Sequence, residues 1–296
     1  MNGAEGMATP DATHRLGVPA SVRSGSACAF LAGRSVLVTR PAQQAVSLAE
    51  AIVSAGGAVW LLPTLEISAL GHSPVLDACV RRLGDYDLVI FVSANAVWET
   101  LARARLLGLD ASAAIRRAAA PGPATAAALT QAGVTEVVLP HTRFDSTGLI
   151  EALAACRTAP TRALVLRGAG VSDDVADEGS GREELLHWLR GRGATVESVA
   201  CYRRTRVAPD PGRLAALLSG LAPDAAIVTS TEGGQSLLAL LGAPGSAWLA
   251  AVPMFVPHRR IAASMTAAGM RAVHVTAGGD GGLMRGLAEW FGGAAA

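Results

Sequence analysis
Apolar residues along the chain gather in short dense runs, separated by segments in which they recur every three or four positions. The densest run is Asp87-Leu-Val-Ile-Phe-Val-Ser93-Ala-Asn95-Ala-Val97. Consecutive apolar residues of β-branched and aromatic type suit a parallel strand covered on both faces. Ser93 stands where the strand stops, positioned to cap a helix from Ala96 to Leu101. The free N–H groups and positive dipole end of that helix favour an anion. For one serine alone, plain capping is the simpler reading; repetition strengthens the functional one. Asp224-Ala-Ala-Ile-Val-Thr-Ser230-Thr231 keeps the same Asp-to-Ser interval ahead of a second helix.

The remaining pattern extends this alternation. Arg34-Ser-Val-Leu-Val-Thr-Arg40-Pro41 predicts a strand and a helix start, and Val46, Ala49, Ile52 and Val53 keep helical spacing until Gly56-Gly57 supplies a left-handed stop. Ala58 to Leu62 is the next strand, and 65 to 68 an extended crossing. After the Asp87 strand, Ala118 to Ala126 reads as strand, small-residue turn and helix, with Thr125 taken as a cap. Glu136 to Leu139 is a strand, and Asp145-Ser146-Thr-Gly148 starts a helix that bears Leu149, Ile150 and Leu153. Arg162 to Gly168 is a further strand, 171 to 182 an acidic surface loop, 185 to 189 a helix and 193 to 202 a strand. A second extended crossing covers 203 to 209. Strands at 252 to 256 and 273 to 276 and a helix from Gly282 to Trp290 close the chain. Alternating strands and helices signify parallel sheets. The blocks 85–155 and 222–292 match in order, as do 34–63 and 162–202. Periodicity leaves two pairings of these four pieces open: neighbours together, or first with last and the middle two together.

Size and charge narrow the classes. A chain of 296 residues, 51% hydrophobic, suggests about two domains. The net charge of +1 argues against a nucleic-acid surface, and no uncharged apolar run reaches the roughly 18 residues of a membrane span, so a soluble protein is expected. Every cation is Arg, because the chain has no Lys; a Schiff-base lysine, a pyridoxal-phosphate site and a lysine-bearing phosphate loop are excluded. Cys28, Cys79, Cys156 and Cys201 lie far apart and the histidines are scattered, which suggests neither a metal knuckle nor a disulfide framework but a reduced cytoplasmic setting. Residues 1–33 lack the apolar core of a signal peptide and are expected to form a flexible tail.

Taken together, Val38-Thr-Arg40-Pro41, Phe91-Val-Ser93-Ala-Asn95-Ala-Val97, Gly122-Pro-Ala-Thr125-Ala, Leu166-Arg167-Gly168, Val199-Ala-Cys-Tyr202-Arg203 and Thr229-Ser230 resemble the uroporphyrinogen-III synthase family over about 34–292. The resemblance implies two flavodoxin-like α/β domains with parallel sheets, each a βαβ piece plus a βαβα piece. One is formed by 34–66 with 206–292 and the other by 69–202, joined by a two-stranded extended linker that lets a cleft open and close. It implies cyclisation of the linear tetrapyrrole hydroxymethylbilane to uroporphyrinogen III, with inversion of ring D and loss of water. No metal or organic cofactor takes part. The implied partners are the substrate and hand-over from hydroxymethylbilane synthase, with neither nucleic acid nor membrane, for a monomer.

Such a polycarboxylate needs hydrogen-bond donors. Helix N-termini at Ser93, Thr125, Ser146 and Ser230, all after parallel strands, supply them, with Asn95 and Thr231 beside them. Arg40 and Arg167 leave equivalent strand ends and suit bidentate pairing with carboxylates. His258 and Arg259 occupy the place that Gly122-Pro-Ala holds in the other half, with Ile261 opposite Thr125. Tyr202 matches the family's tyrosine proposed to help hydroxide leave. The plainer alternatives are ring packing for Tyr202, solvation or helix-carbonyl contacts for the arginines, and a surface role for His258. At the level of the whole chain, the competing classes are a non-catalytic two-domain ligand binder and a sensor.

Overall fold
The computed structural model describes residues 15–16, 29–169, 180–207, 219 and 223–293. The acidic segment expected to form a surface loop falls largely outside them. The chain divides into two compact units, Met1–Glu66 with Arg206–Ala296, and Ile67–Thr205.

In the first unit the strands are β1 (Arg15–Leu16), β2 (Ser35–Val38), β3 (Ala58–Leu61), β10 (Ala225–Ile227), β11 (Met254–Val256) and β12 (Val273–Val275), in the order β1-β3-β2-β10-β11-β12. All pairs but β1–β3 are parallel. The parallel part reads 2-1-3-4-5, the doubly wound order of flavodoxin-like sheets. Helix α1 (Ala42–Ser54) buries Ala45, Leu48, Ala49 and Ile52, an i, i+3, i+4, i+7 stripe. Together with α10 (Gly279–Gly292) it covers one face, through Val36, Val38, Ile227, Leu283 and Leu287. The other face carries α8 (Thr231–Leu249) and α9 (Arg259–Ala267) over Leu37, Leu237, Met254 and Met265. Helix α8 is kinked at Gly242, φ 62°, two residues before Pro244, whose ring cannot continue the ladder.

The segment read as a flexible tail through residue 33 is packed from residue 29 onward. Leu31 is fully buried against α1, and its N–H donates to the Ala55 carbonyl at 3.1 Å. Arg15 and Leu16 pair with Trp60 and Val59 of β3, giving an otherwise open edge a partner.

The second unit has β4 (Leu65–Ala69), β5 (Leu88–Phe91), β6 (Ala118–Ala119), β7 (Val137–Val138), β8 (Arg162–Ala169) and β9 (Thr195–Arg206), in the order β4-β9-β8-β5-β6-β7. Helices α2 (Pro74–Arg81), α3 (Ala94–Leu106) and α5 (Pro123–Gln131) pack on one face with Phe91, Val97, Leu129 and Leu166. A short α4 (Ala111–Ala114) follows α3. Helices α6 (Ser146–Ala154) and α7 (Ser180–Gly191) cover the other face with Ile90, Leu149, Leu153 and Val165. Helix α2 was not foreseen, although Ser73 caps it and Pro74 opens it, a recognisable helix start. The chain passes between the units through β4 and the end of β9.

The repeated Asp-to-Ser interval has a structural cause at both of its ends. Asp87 accepts from the backbone N–H groups of Thr161 and Arg162, each at 2.9 Å, and so fixes β5 against β8. Asp224 accepts from the Ser35 N–H at 2.8 Å and fixes β10 against β2 in the same way. Six residues later each strand delivers a serine to a helix N-terminus.

Candidate active site
Doubly wound sheets bind ligands outside the carboxyl ends of their strands, where the strand order reverses. In the second unit that point lies between β8 and β5. Ser93 ends the β5 turn with φ −159° as the N-cap of α3, and its Oγ accepts from the Ala96 N–H at 3.2 Å. The same oxygen shares a hydrogen bond of 3.0 Å with the Tyr202 hydroxyl. Tyr202 belongs to β9, two strands away, so its side chain crosses β8 to reach Ser93.

A bulge makes that reach possible. Arg167 pairs with Ala200 but Gly168 with Tyr202, leaving Cys201 as the extra residue of β9; such an insertion re-aims the next side chain. The Cys201 thiol donates to the Arg167 carbonyl at 3.2 Å, and burial pushes its pKa up to about 12, so it stays a neutral thiol. The Tyr202 ring, 4% exposed, lies over Gly168. A Cβ added there would come within 2.6 Å of two ring carbons and 2.9 Å of the hydroxyl.

Asn95 is half-buried in the first turn of α3. Arg167 is half-buried within β8, and its guanidinium donates to the Gly168 carbonyl at 3.3 Å. Thr125 is not a cap: Gly122 is the N-cap of α5, with Pro123 at its first position, because proline presets the helical φ and starts the helix earlier. Thr125 is 5% exposed at the third helical position, where Ile261 of α9 is also 5% exposed, so the site faces the core. Ser146 is the first residue of α6, where the helix start read from Asp145-Ser146-Thr-Gly148 places it. Asp145 is the N-cap of α6 and accepts from the Gly148 N–H at 2.9 Å; a carboxylate at the cap also suits the helix dipole.

The switch point of the first unit lies between β2 and β10. Ser230 caps α8, accepting from the Gly233 N–H at 3.0 Å. The buried Thr231 hydroxyl oxygen beside it has no hydrogen-bond partner among the described residues. Arg40 leaves β2 and pairs with Asp280 in the first turn of α10. Asp280 also accepts from Ser47 of α1 at 2.6 Å. The reading of Arg40 as solvated or bonded to helix carbonyls therefore gives way to an ion pair. His258 is exposed and caps α9, its Nδ1 accepting from the Arg260 N–H at 3.1 Å; Arg259 is exposed beside it. Among the described residues, no three His, Cys, Asp or Glu side chains group as a metal site, and no helix is long and apolar enough to cross a membrane.

Two doubly wound units, each with a parallel-rich sheet covered by helices on both faces, define a two-domain α/β protein. Comparison with known proteins specifies it further. The family model described as uroporphyrinogen-III synthase HemD matches residues 46–278. The chain is 30% identical over 208 residues to the uroporphyrinogen-III synthase of Escherichia coli K12, covering 70% of this chain and 80% of that one. It is 28% identical over 170 residues to that of Proteus mirabilis, covering 57% and 80%. A crystal structure of a mutant uroporphyrinogen III synthase from the extremely thermophilic bacterium Thermus thermophilus shares the fold, with a TM-score of 0.55 at 19% identity over 86% of this chain and 98% of that one. The chain belongs to the uroporphyrinogen-III synthase family. Its activity is that hydro-lyase reaction of tetrapyrrole biosynthesis, with hydroxymethylbilane as the substrate the family implies.

Proposed function
We propose that Tyr202 is the proton donor of this reaction, and that the residues at the strand ends hold the substrate's carboxylates. The observation that carries this reading is the hydrogen bond between Tyr202 and Ser93 at the switch point. Two hydroxyls that share one bond keep one proton to spare, and Ser93 already has an acceptor site filled by the Ala96 N–H. With Ser93 donating, the phenol proton is free. It passes to the leaving oxygen as the C–O bond of the hydroxymethyl group breaks, giving water, an azafulvenium cation and a phenolate that accepts from Ser93. Ring D attacks this cation through the carbon that already carries its link to the neighbouring ring, giving a spiro intermediate. That older C–C link then breaks, and ring D re-bonds to the freed methylene through its unsubstituted carbon, so two C–C bonds form, one breaks and the ring is inverted. The proton lost on rearomatisation returns to the phenolate, so water is the only by-product. The electron-rich pyrrole drives ionisation by itself, so the expected contribution is about 10–100-fold, the lower end of general acid catalysis or below it.

Carboxylate contacts in this reading come from Asn95, Arg167 and the first turn of α6 at Ser146 in the second unit. In the first they come from Ser230, Thr231, His258 and Arg259. The unpartnered Thr231 hydroxyl supports its assignment, since a buried donor without a bond is costly unless a ligand completes it. Arg40 contributes once a substrate carboxylate competes with Asp280 for it. Thr125 acts through packing. We further assign a monomer working in a reducing cytoplasm and receiving hydroxymethylbilane from the enzyme that makes it; the free thiols at Cys79, Cys156 and Cys201 support the compartment.

The test is Tyr202→Phe, assayed with freshly generated hydroxymethylbilane. Turnover is expected to fall about 10–100-fold with the circular dichroism spectrum retained. An unchanged rate assigns the ring to packing alone.

A further inference from the structure
We propose that Gly168 is a positioning residue for Tyr202: the missing side chain on β8 is what seats the phenol ring across the strand and delivers its hydroxyl to Ser93. The proposal rests on the reading of Tyr202 as proton donor and adds a residue that acts through the Tyr202 ring.

Three independent features converge on this position. The register of β8 and β9 shifts between Arg167 and Gly168, so Tyr202 stands opposite Gly168. The space above Gly168 is filled by the ring itself, with Cε2 and Cζ at 2.6 Å from where a Cβ would be, closer than two carbon atoms pack. The hydroxyl at the far end of that ring is held at 3.0 Å by Ser93, whose own position is fixed by capping α3. Glycine inside a strand weakens the strand and marks a close approach. Here its φ lies outside the left-handed region, so contact with the ring, not backbone conformation, is the reason for it. A methyl group must tilt the ring away from β8. Because the ring is rigid, a tilt about Cβ displaces the hydroxyl, the atom farthest from the pivot, more than any ring carbon, so the Ser93 bond breaks first. Tyr202 belongs to the same buried cluster as Phe91, Ala96, Val199 and Cys201, and a close-packed interior offers little room for the backbone to yield instead.

The experiment combines steady-state kinetics with thermal unfolding on the full chain. Gly168→Ala is expected to lower kcat about tenfold or more with KM within about twofold, and to lower the melting temperature by several degrees. In a Tyr202→Phe background it should produce little further loss of kcat, because the hydroxyl it displaces is already gone. In a Tyr202→Ala background its thermal penalty should vanish, because the ring it clashes with is gone. A full thermal penalty retained in Gly168→Ala/Tyr202→Ala overturns the seating, and normal kcat in Gly168→Ala overturns the positioning role. If Tyr202→Phe alone has a normal rate, the proton-donor reading fails. The thermal cycle, which does not depend on activity, then decides the seating separately.

Discussion

At the start of α6, Asp145 rather than Ser146 accepts the Gly148 N–H, and one position of difference decides which side chain is committed to the helix. Replacing an N-cap carboxylate by alanine costs about 1 kcal/mol, whereas the first helical residue contributes no such bond. Urea titration of Asp145→Ala should therefore show a loss of about 1 kcal/mol, and Ser146→Ala a much smaller one. Equal losses would show that the serine shares the capping. Ser93 and Ser230 are caps as well, but Ser93 serves two partners at once through Tyr202. The four helix starts are thus not equivalent: two are capped by serine, one by aspartate and one by glycine.

At the scale of the elements, strand and helix order was legible because buried parallel strands leave dense apolar runs and glycines end the helices between them. Gly56 and Gly133, with φ of 85° and 90°, stand where the pattern stops in α1 and α5. The Asp-to-Ser repeat was visible, but its cause was not, since Asp87 bonds residues 74 and 75 positions away. The site was partly legible for the same reason. Strand ends could be read and Tyr202 found by resemblance. The contacts that give these residues meaning join distant segments: Arg40 to Asp280 across 240 positions and Ser93 to Tyr202 across 109. Periodicity reports which face a residue takes, not which strand lies beside it. Thr125 was misread because the turn Gly122-Pro123 starts its helix early, and α2 passed unnoticed because its eight residues hold too few turns to show a period.

Across the whole molecule, acid should destabilise the fold by a route the structure specifies. The Thr161 hydroxyl and the Thr161 and Arg162 N–H groups hold the Asp87 carboxyl below its ordinary range. Burial would raise Asp224, but its bonds to Arg34 and Ser35 outweigh that and lower it. Both folded pKa values lie below the unfolded 3.8, so as pH falls the unfolded chain takes up protons first. This contribution is complete above about pH 4 and is lost as pH drops through the folded values. Urea midpoints should be steady between about pH 7 and 5 as far as these two groups act, and fall below about pH 4, with a shallower fall in Asp87→Asn. A midpoint that rises on acidification from pH 5 to pH 3 would contradict the clamps.

The central claim concerns ring closure with inversion, and product isomers read it directly. Purified protein given freshly generated hydroxymethylbilane, followed by oxidation and chromatographic separation of the porphyrins, should yield mainly the type III isomer. A product mixture containing only the type I isomer of spontaneous closure, at the rate seen without protein, would contradict the account.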